Sequence, residues 1–236
     1  MRVGIAGYGV VGKTRHASIK KNTSYKVVAI SEANSEAQRN IPSDTEIYDD
    51  YRDLIHKAEI DIIFISLPNK FASDAVSLSL ENGLNVFCEK PPARNLDELI
   101  QVNEIYKNYS NLKLMYGFNH RFHLSVEEAK SIIDSNAYGK IINLKGVYGK
   151  SQMISFNQTD WRTKRDESGG GILLDQGIHL LDLMRYLSGE NFSEIFSFID
   201  NAFWNFDVED NAYVLMKSSN GVIAQLHSSA TQWRHV

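Results

Sequence analysis

The chain has 236 residues, 43% apolar and 23% charged, with a formal net charge of −4. That is enough for one large domain or two modest ones with a real core, and mild acidity without a basic run argues against nucleic acid and anionic membrane surfaces as partners. A lone cysteine, Cys88, rules out an intrachain disulfide and fits a reducing, cytoplasmic setting. No apolar run reaches bilayer length, no cleavable signal opens the chain, and no repeat or low-complexity linker interrupts it.

In chain order, the first element is a short β-like run, Val3 to Ala6, ending in "GYGVVG". Gly7, Gly9 and Gly12 form a G-x-G-x-x-G pattern, with Tyr8, Val10 and Val11 between them. A helix is expected from about Val10 to Lys21, then the strand "YKVVAI", then Glu32, twenty residues after Gly12. Each part has a physical task in holding a dinucleotide. Gly7 permits a tight turn, Gly9 leaves room for a pyrophosphate, and Gly12 lets helix and strand pack closely. The helix N-terminus offers free N–H groups and the positive end of its dipole. A carboxylate at Glu32 would accept from a ribose 2′-hydroxyl and repel a 2′-phosphate, so NAD is expected over NADP.

The alternation continues. "EIYDDYRDLI" reads as a strand remnant and a short helix, and "IDIIFISLP" as a buried strand. "FASDAVSLSLENG" reads as an amphipathic helix closed by Gly83. "LNVFCEKPP", "LDELIQVNEIYKNY" and "LKLMYGFNH" read as strand, helix and strand. Strands and helices in this rhythm predict βαβ units and a doubly wound, mostly parallel sheet. Ligands then bind beyond the carboxyl ends of its strands. Pro68 and Asn69 stand at one such end, Glu89, Lys90 and Pro91 at another, and Asn119 to Arg121 at a third. A cis Lys90–Pro91 bond would turn the chain sharply and aim the Lys90 ammonium at a substrate hydroxyl. The residues alone fit equally well a surface Glu–Lys pair before a helix-starting proline.

The second half opens with "LSVEEAKSIIDSNAYGK", a helix expected to carry a Ser125/Glu128 capping box. "IINLKGVYGKSQ" and "SEIFSFIDNAFWNF" read as strands. "NAYVLMKSS" and "VIAQLHSSA" read as a hairpin about Asn220-Gly221. Between them "GGGILLDQGIHLLDL" predicts one long helix. Asp175 and His179, four apart, share one of its faces. Gly177 costs such a helix ~1 kcal/mol relative to alanine, so close approach of another backbone, a cofactor or a substrate is expected there. His179 has the unperturbed pKa of a proton-exchanging group. Taken alone, the pair also fits an ordinary Asp–His helical contact, and Asp182 a packing partner. The stretch Gln152 to Asp166 is polar and basic, with Asn157, Gln158, Trp161, Arg162, Lys164 and Arg165. It would suit a phosphorylated or nucleotide-linked sugar, as it would a solvated loop.

"GIAGYGVVG", "SLPN", "CEKPPA", "GFNHRF" and "GGGILLDQGIHLLDL" occur in that order. Together they resemble the Gfo/Idh/MocA family of NAD(P)-dependent oxidoreductases, from Val3 to about Trp233. The resemblance implies an N-terminal Rossmann domain, residues 1–120, and a substrate-binding and oligomerisation α/β domain on a largely antiparallel open sheet, residues 121–236. It implies hydride transfer between NAD and a hydroxyl or keto carbon of a sugar, sugar nucleotide or cyclic polyol. Carried over by position, Lys90, Asp175 and His179 are the catalytic residues, the last two facing the lysine across the cleft. Gly7, Tyr8, Gly9, Val10, Val11, Gly12, Glu32, Pro68, Asn69, Glu89 and Lys90 would hold the cofactor. Asn119, Trp161, Arg162 and Asp175 would hold the substrate; His120 is set aside because that position varies in the family. No metal is expected, and a homodimer or tetramer is. Two departures stand out: Ala72 replaces a histidine usual after the L-P-N turn, and the chain stops at Val236 where relatives carry further strands, so an incomplete second domain is expected. Rival readings on the same fold are a non-catalytic NAD- or sugar-sensing regulator and an NAD-dependent glycosidase.

Overall fold

The computed structural model describes residues 1–152 and 160–234. The chain divides into two compact units, Met1–Gly117 and Phe118–Val236. No helix among the described residues is long and apolar enough to cross a membrane.

The first unit runs β1 (Arg2–Ala6), α1 (Val10–Ile19), β2 (Lys26–Ser31), α2 (Ser35–Gln38), β3 (Glu46–Tyr48), α3 (Tyr51–Lys57), β4 (Ile62–Ile65), α4 (Asn69–Glu81), β5 (Asn85–Cys88), α5 (Leu96–Asn108) and β6 (Leu114–Tyr116). The strands form one sheet in the order β3-β2-β1-β4-β5-β6. Every pairing is parallel. The order reverses between β1 and β4, and the carboxyl ends of these strands flank that reversal. A parallel sheet covered on both faces needs apolar side chains on both. Ile63, Ile65, Ala29, Val86, Leu54, Val76 and Leu80 fill one layer, and Val3, Ile5, Ile19, Val27 and Ile30 the other. Helix starts follow local chemistry. The Asp50 side chain accepts from the Arg52 N–H at the start of α3, and Asn95 accepts from the Glu98 N–H at the start of α5. Past α4, Gly83 takes φ +76°, the left-handed conformation expected of a helix-closing glycine.

The second unit contains a 3-10 turn (Asn119–Phe122), α6 (Leu124–Asp134), β7 (Asn143–Gly149), a second 3-10 turn (Asp160–Thr163), α7 (Arg165–Ser168), a π turn (Leu173–Gly177), α8 (Ile178–Ser188), β8 (Phe192–Asp200), β9 (Asn211–Ser218) and β10 (Ile223–Ser229). Its sheet has the order β7-β10-β9-β8. β10 pairs parallel with β7, and the other two pairings are antiparallel. Leu180, Leu181 and Met184 of α8 cover one face, against Leu144, Val214, Met216, Ala224 and Leu226. The other face leaves Phe196, Phe198, Tyr213 and Leu215 exposed. Phe196 stands opposite Leu215, and Phe198 opposite Tyr213.

Two local expectations need correction, and the hairpin expected about Asn220-Gly221 is present. Ser125 and Glu128 form no capping box. The 3-10 turn brings the chain into α6 two residues earlier, so His123 is the N-cap, and no side chain caps the helix. The strand expected over "SEIFSFIDNAFWNF" ends at Asp200. There the N–H groups of Ala202, Phe203 and Trp204 converge on the Asp210 carboxylate at 3.0, 2.8 and 2.9 Å, which bends the chain out of the sheet. The hairpin joins β9 to β10, and only Gly221 of the Asn220-Gly221 pair takes positive φ (+86°). The Gly221 N–H bonds the Ser218 carbonyl, so the hairpin closes through a turn followed by a glycine bulge.

Candidate functional site

The candidate residues of the first unit gather at the carboxyl ends of β1, β2, β4 and β5. Gly7 leaves β1 with φ +87°, and a Cβ there would stand 2.6 Å from the Ser66 carbonyl oxygen. At Gly12 a Cβ would stand 2.1 Å from the Gly7 carbonyl oxygen, so the first turn of α1 closes directly on the glycine turn. At Gly9 a Cβ would meet nothing within 4 Å. Gly9 also caps α1 without any side-chain bond. An open space thus lies at a helix N-terminus whose first N–H groups no side chain caps. Val10 and Val11 are exposed beside it, whereas the Tyr8 ring is buried, its hydroxyl 2.7 Å from Nδ1 of the buried His16. Tyr8 can therefore face a ligand only through its main chain.

Glu32 follows β2. Its carboxylate accepts from the Tyr8 N–H and the Asn34 N–H, both at 2.9 Å. It thereby ties the glycine turn to the end of β2. Each carboxylate oxygen keeps a further lone pair for a ribose hydroxyl. Pro68 is the N-cap of α4, and Asn69, its first residue, is buried. At the end of β5 the Lys90–Pro91 bond is cis. Glu89 is held by Arg15 of α1, with Nε 2.6 Å from Oε1, and the Arg15 guanidinium lies 5.0 Å over the Phe87 ring. Glu89 is thereby tied to α1 through Arg15, with most of its side chain covered. Cys88 is fully buried, and burial pushes its thiol well above the ordinary range, as suits a structural role.

In the second unit the glycine run has a specific cause. Gly169 closes α7 with φ +83°. At Gly171 a Cβ would stand 2.0 Å from the Glu209 carbonyl oxygen, which accepts instead from the Ile172 N–H at 3.0 Å. The next segment is not the regular α-helix expected: Leu173–Gly177 is a π turn, and α8 begins only at Ile178. Asp175 therefore lies in the π turn and His179 in the first turn of α8. At Gly177 a Cβ would meet side chains in place of the backbone, cofactor or substrate expected: Leu173 Cδ1 of the same turn at 2.8 Å and Ser228 Cβ of β10 at 3.0 Å. Single π turns of this kind recur at functional sites.

Asp175 is flanked by two cations, Lys150 Nζ at 4.0 Å and Arg162 Nε at 3.9 Å. The Gln176 side chain donates to it at 2.8 Å. The Arg162 guanidinium also lies 4.3 Å over the Trp161 ring. Burial and, less strongly, the nearby Asp175 hold the Tyr148 phenol above its ordinary pKa. His179 is buried beneath the His120 imidazole, ring centroids 4.1 Å apart. Asp182 is a packing partner of a definite kind. Both its oxygens accept from Arg121, Nε at 2.7 Å and Nη2 closer still, and the interaction raises the Arg121 pKa. Asn119 is exposed on the same 3-10 turn. Asn157 and Gln158 lie outside the described residues.

Sequence reasoning missed Lys150, Tyr148 and the Arg121–Asp182 pair, and it set His120 aside. No local spacing links Lys150 to Asp175; the two meet only because β7 ends beside the π turn. Among the described residues no cluster suited to a metal ion occurs.

Residues 1–118 match the family model described as "Oxidoreductase family, NAD-binding Rossmann fold", and residues 126–235 match the "GFO/IDH/MocA C-terminal domain". Levoglucosan dehydrogenase of Pseudarthrobacter phenanthrenivorans is 29% identical over 205 residues, covering 80% of this chain and 52% of that protein. A myo-inositol 2-dehydrogenase of Lactobacillus plantarum superposes with a TM-score of 0.87 at 29% identity, over 100% of this chain and 70% of that one. A levoglucosan dehydrogenase in complex with NADH and levoglucosan superposes with a TM-score of 0.90 at 26% identity, over 100% of this chain and 69% of that one. The chain spans about half to two thirds of the length of curated relatives it matches.

Proposed function

This chain belongs to the GFO/IDH/MocA oxidoreductase family, and on that premise we propose that it transfers a hydride between NAD and a hydroxyl-bearing or keto carbon of a sugar, sugar nucleotide or cyclic polyol. The observation that carries this reading is the gap at Gly9, between two glycines that tolerate no side chain and beside Glu32. A pyrophosphate fits such a gap at a helix N-terminus. Glu32 accepts from the adenosine ribose and repels a 2′-phosphate, which favours NAD over NADP.

The bound nicotinamide supplies the hydride acceptor. In the oxidation direction His179 takes the hydroxyl proton as the hydride leaves the carbon, and in reduction it returns it. Lys90 polarises the reacting oxygen and stabilises its developing negative charge. Asp175 binds a neighbouring hydroxyl. Asn119, Trp161 and Arg162 complete the substrate contacts. Lys150 and Arg162 beside Asp175 favour a sugar that carries an anionic phosphate or carboxylate. The apolar sheet face around Phe196, Phe198, Tyr213 and Leu215 serves self-association into a dimer or tetramer, which light scattering on the eluting protein tests. The lone, buried Cys88 fits the cytoplasm.

The test is a fluorescence titration with NADH and, in parallel, NADPH, followed by a screen of polyols and acidic sugars at 340 nm. NADH binds more tightly than NADPH, and Glu32→Gln narrows the difference. Binding without turnover of any alcohol would favour a sensor. Failure to bind either dinucleotide would overturn the reading.

A further inference from the structure

The His120 and His179 rings lie almost parallel, with 12° between their planes at 4.1 Å. The Tyr148 ring lies near-parallel to both, at 5.8 and 6.5 Å, and Phe118 meets His179 edge-on at 6.1 Å. The turn that carries His120 is anchored to α8. Its next residue, Arg121, forks onto Asp182, and the guanidinium lies 5.0 Å over the Tyr186 ring. Asp182 and Tyr186 follow His179 on one helix face. The anchor and the stack therefore hold each other in register.

Charged and titratable groups near His179 come from several elements. The 3-10 turn offers His120 and Arg121, the latter engaged by Asp182; His123 lies beyond it, 5.1 Å from the His120 ring. β7 offers Tyr148 and, at its end, Lys150. The π turn offers Asp175, with Arg162 and Lys150 on either side. The group in direct ring contact whose charge changes near neutral pH is His120. It is half-buried, whereas His179 is buried, so the first proton is better solvated on His120.

We infer that His120 is a positioning residue that, stacked on His179, fixes the plane of that ring and leaves the pair able to take one proton but not two near neutral pH. Two imidazolium rings face to face repel each other, so a proton on His120 keeps His179 neutral and able to accept one. The functional meaning rests on the reading of His179 as the acid–base group. The stack itself does not.

The test follows the His179 ring by NMR in the full chain with isotope-labelled histidine and no cofactor or substrate, the signal being assigned by its loss in His179→Gln. His120→Gln removes the competing charge, and the His179 midpoint rises by on the order of one pH unit. His120→Arg fixes a cation in place, and the midpoint falls. Opposite shifts are the signature, since a merely structural role would move both variants the same way. An unmoved or lowered midpoint in His120→Gln overturns the inference, and that variant decides alone if His120→Arg does not fold. This readout is separate from dinucleotide binding, so failure of the hydride-transfer reading would be seen elsewhere.

Discussion

The two units build their candidate sites by different means. In the first, the main chain does the work. Gly7 and Gly12 close on each other within one turn, Gly9 stands open between them, and Glu32 reaches the turn from the neighbouring strand. In the second, distant side chains do it. Arg121 and Asp182, 61 residues apart, anchor a turn that stacks His120 on His179, and Lys150, just past the end of β7, flanks Asp175. Two glycines show the same contrast. Gly12 is opposed by its own turn, whereas Gly171 is opposed by the distant Glu209 carbonyl; Gly7, against the Ser66 carbonyl, and Gly177, against both Leu173 of its own turn and Ser228, do not divide this way. A glycine pattern explains itself when its partner is local. Otherwise it records only that some partner exists.

Substitutions can sharpen or break this contrast. The largest effects belong to the two glycines with backbone at about 2 Å. Gly12→Ala and Gly171→Ala should each cost about 3 kcal/mol or more, since backbone must shift to admit the methyl group. Urea midpoints measure this. NADH affinity should be lost with Gly12→Ala and kept in folded Gly171→Ala; equal loss in both would break the contrast.

Asp182→Ala comes next, at about 2 kcal/mol, because it strands a guanidinium that is only partly exposed. The same variant should disorder the His120–His179 stack, seen as altered histidine ring signals. Unchanged signals would show that the stack holds without its anchor.

Asp210 gives a smaller, pH-dependent effect. Burial alone would raise its pKa, but the N–H groups of Trp204, Ala202 and Phe203 and the Asn211 amide outweigh burial and hold it below the ordinary value. Its stabilisation is thus present above the unfolded-state value of about 3.9 and is lost as pH falls through the lower folded value. Denaturation followed below about pH 4 should show an acid-driven loss that Asp210→Asn weakens. The smallest effect on stability is at Gly9→Ala, within about 0.5 kcal/mol because the space is open. Its effect on NADH affinity should nevertheless be clear, since the methyl group enters the gap proposed for the pyrophosphate. Tight binding by this variant would place the ligand elsewhere.

The sequence by itself determined the alternation of strands and helices, the parallel sheet of the first unit, the glycine turn and the family motifs. Those signals are local: a buried strand shows in a few consecutive apolar residues, and a forced turn shows as glycine. Tertiary structure alone decided where the second unit departs from local rules. The Ser125/Glu128 box fails because a preceding turn, anchored through Arg121 and Asp182, sets where α6 begins. The helix at Asp175 opens as a π turn between the Glu209 carbonyl and Ser228, both supplied from far along the chain. Lys150 and His120 gain their neighbours only when β7 and the 3-10 turn come to rest beside α8. Contacts between side chains far apart in sequence leave no spacing to read, because the folded core chooses their partners.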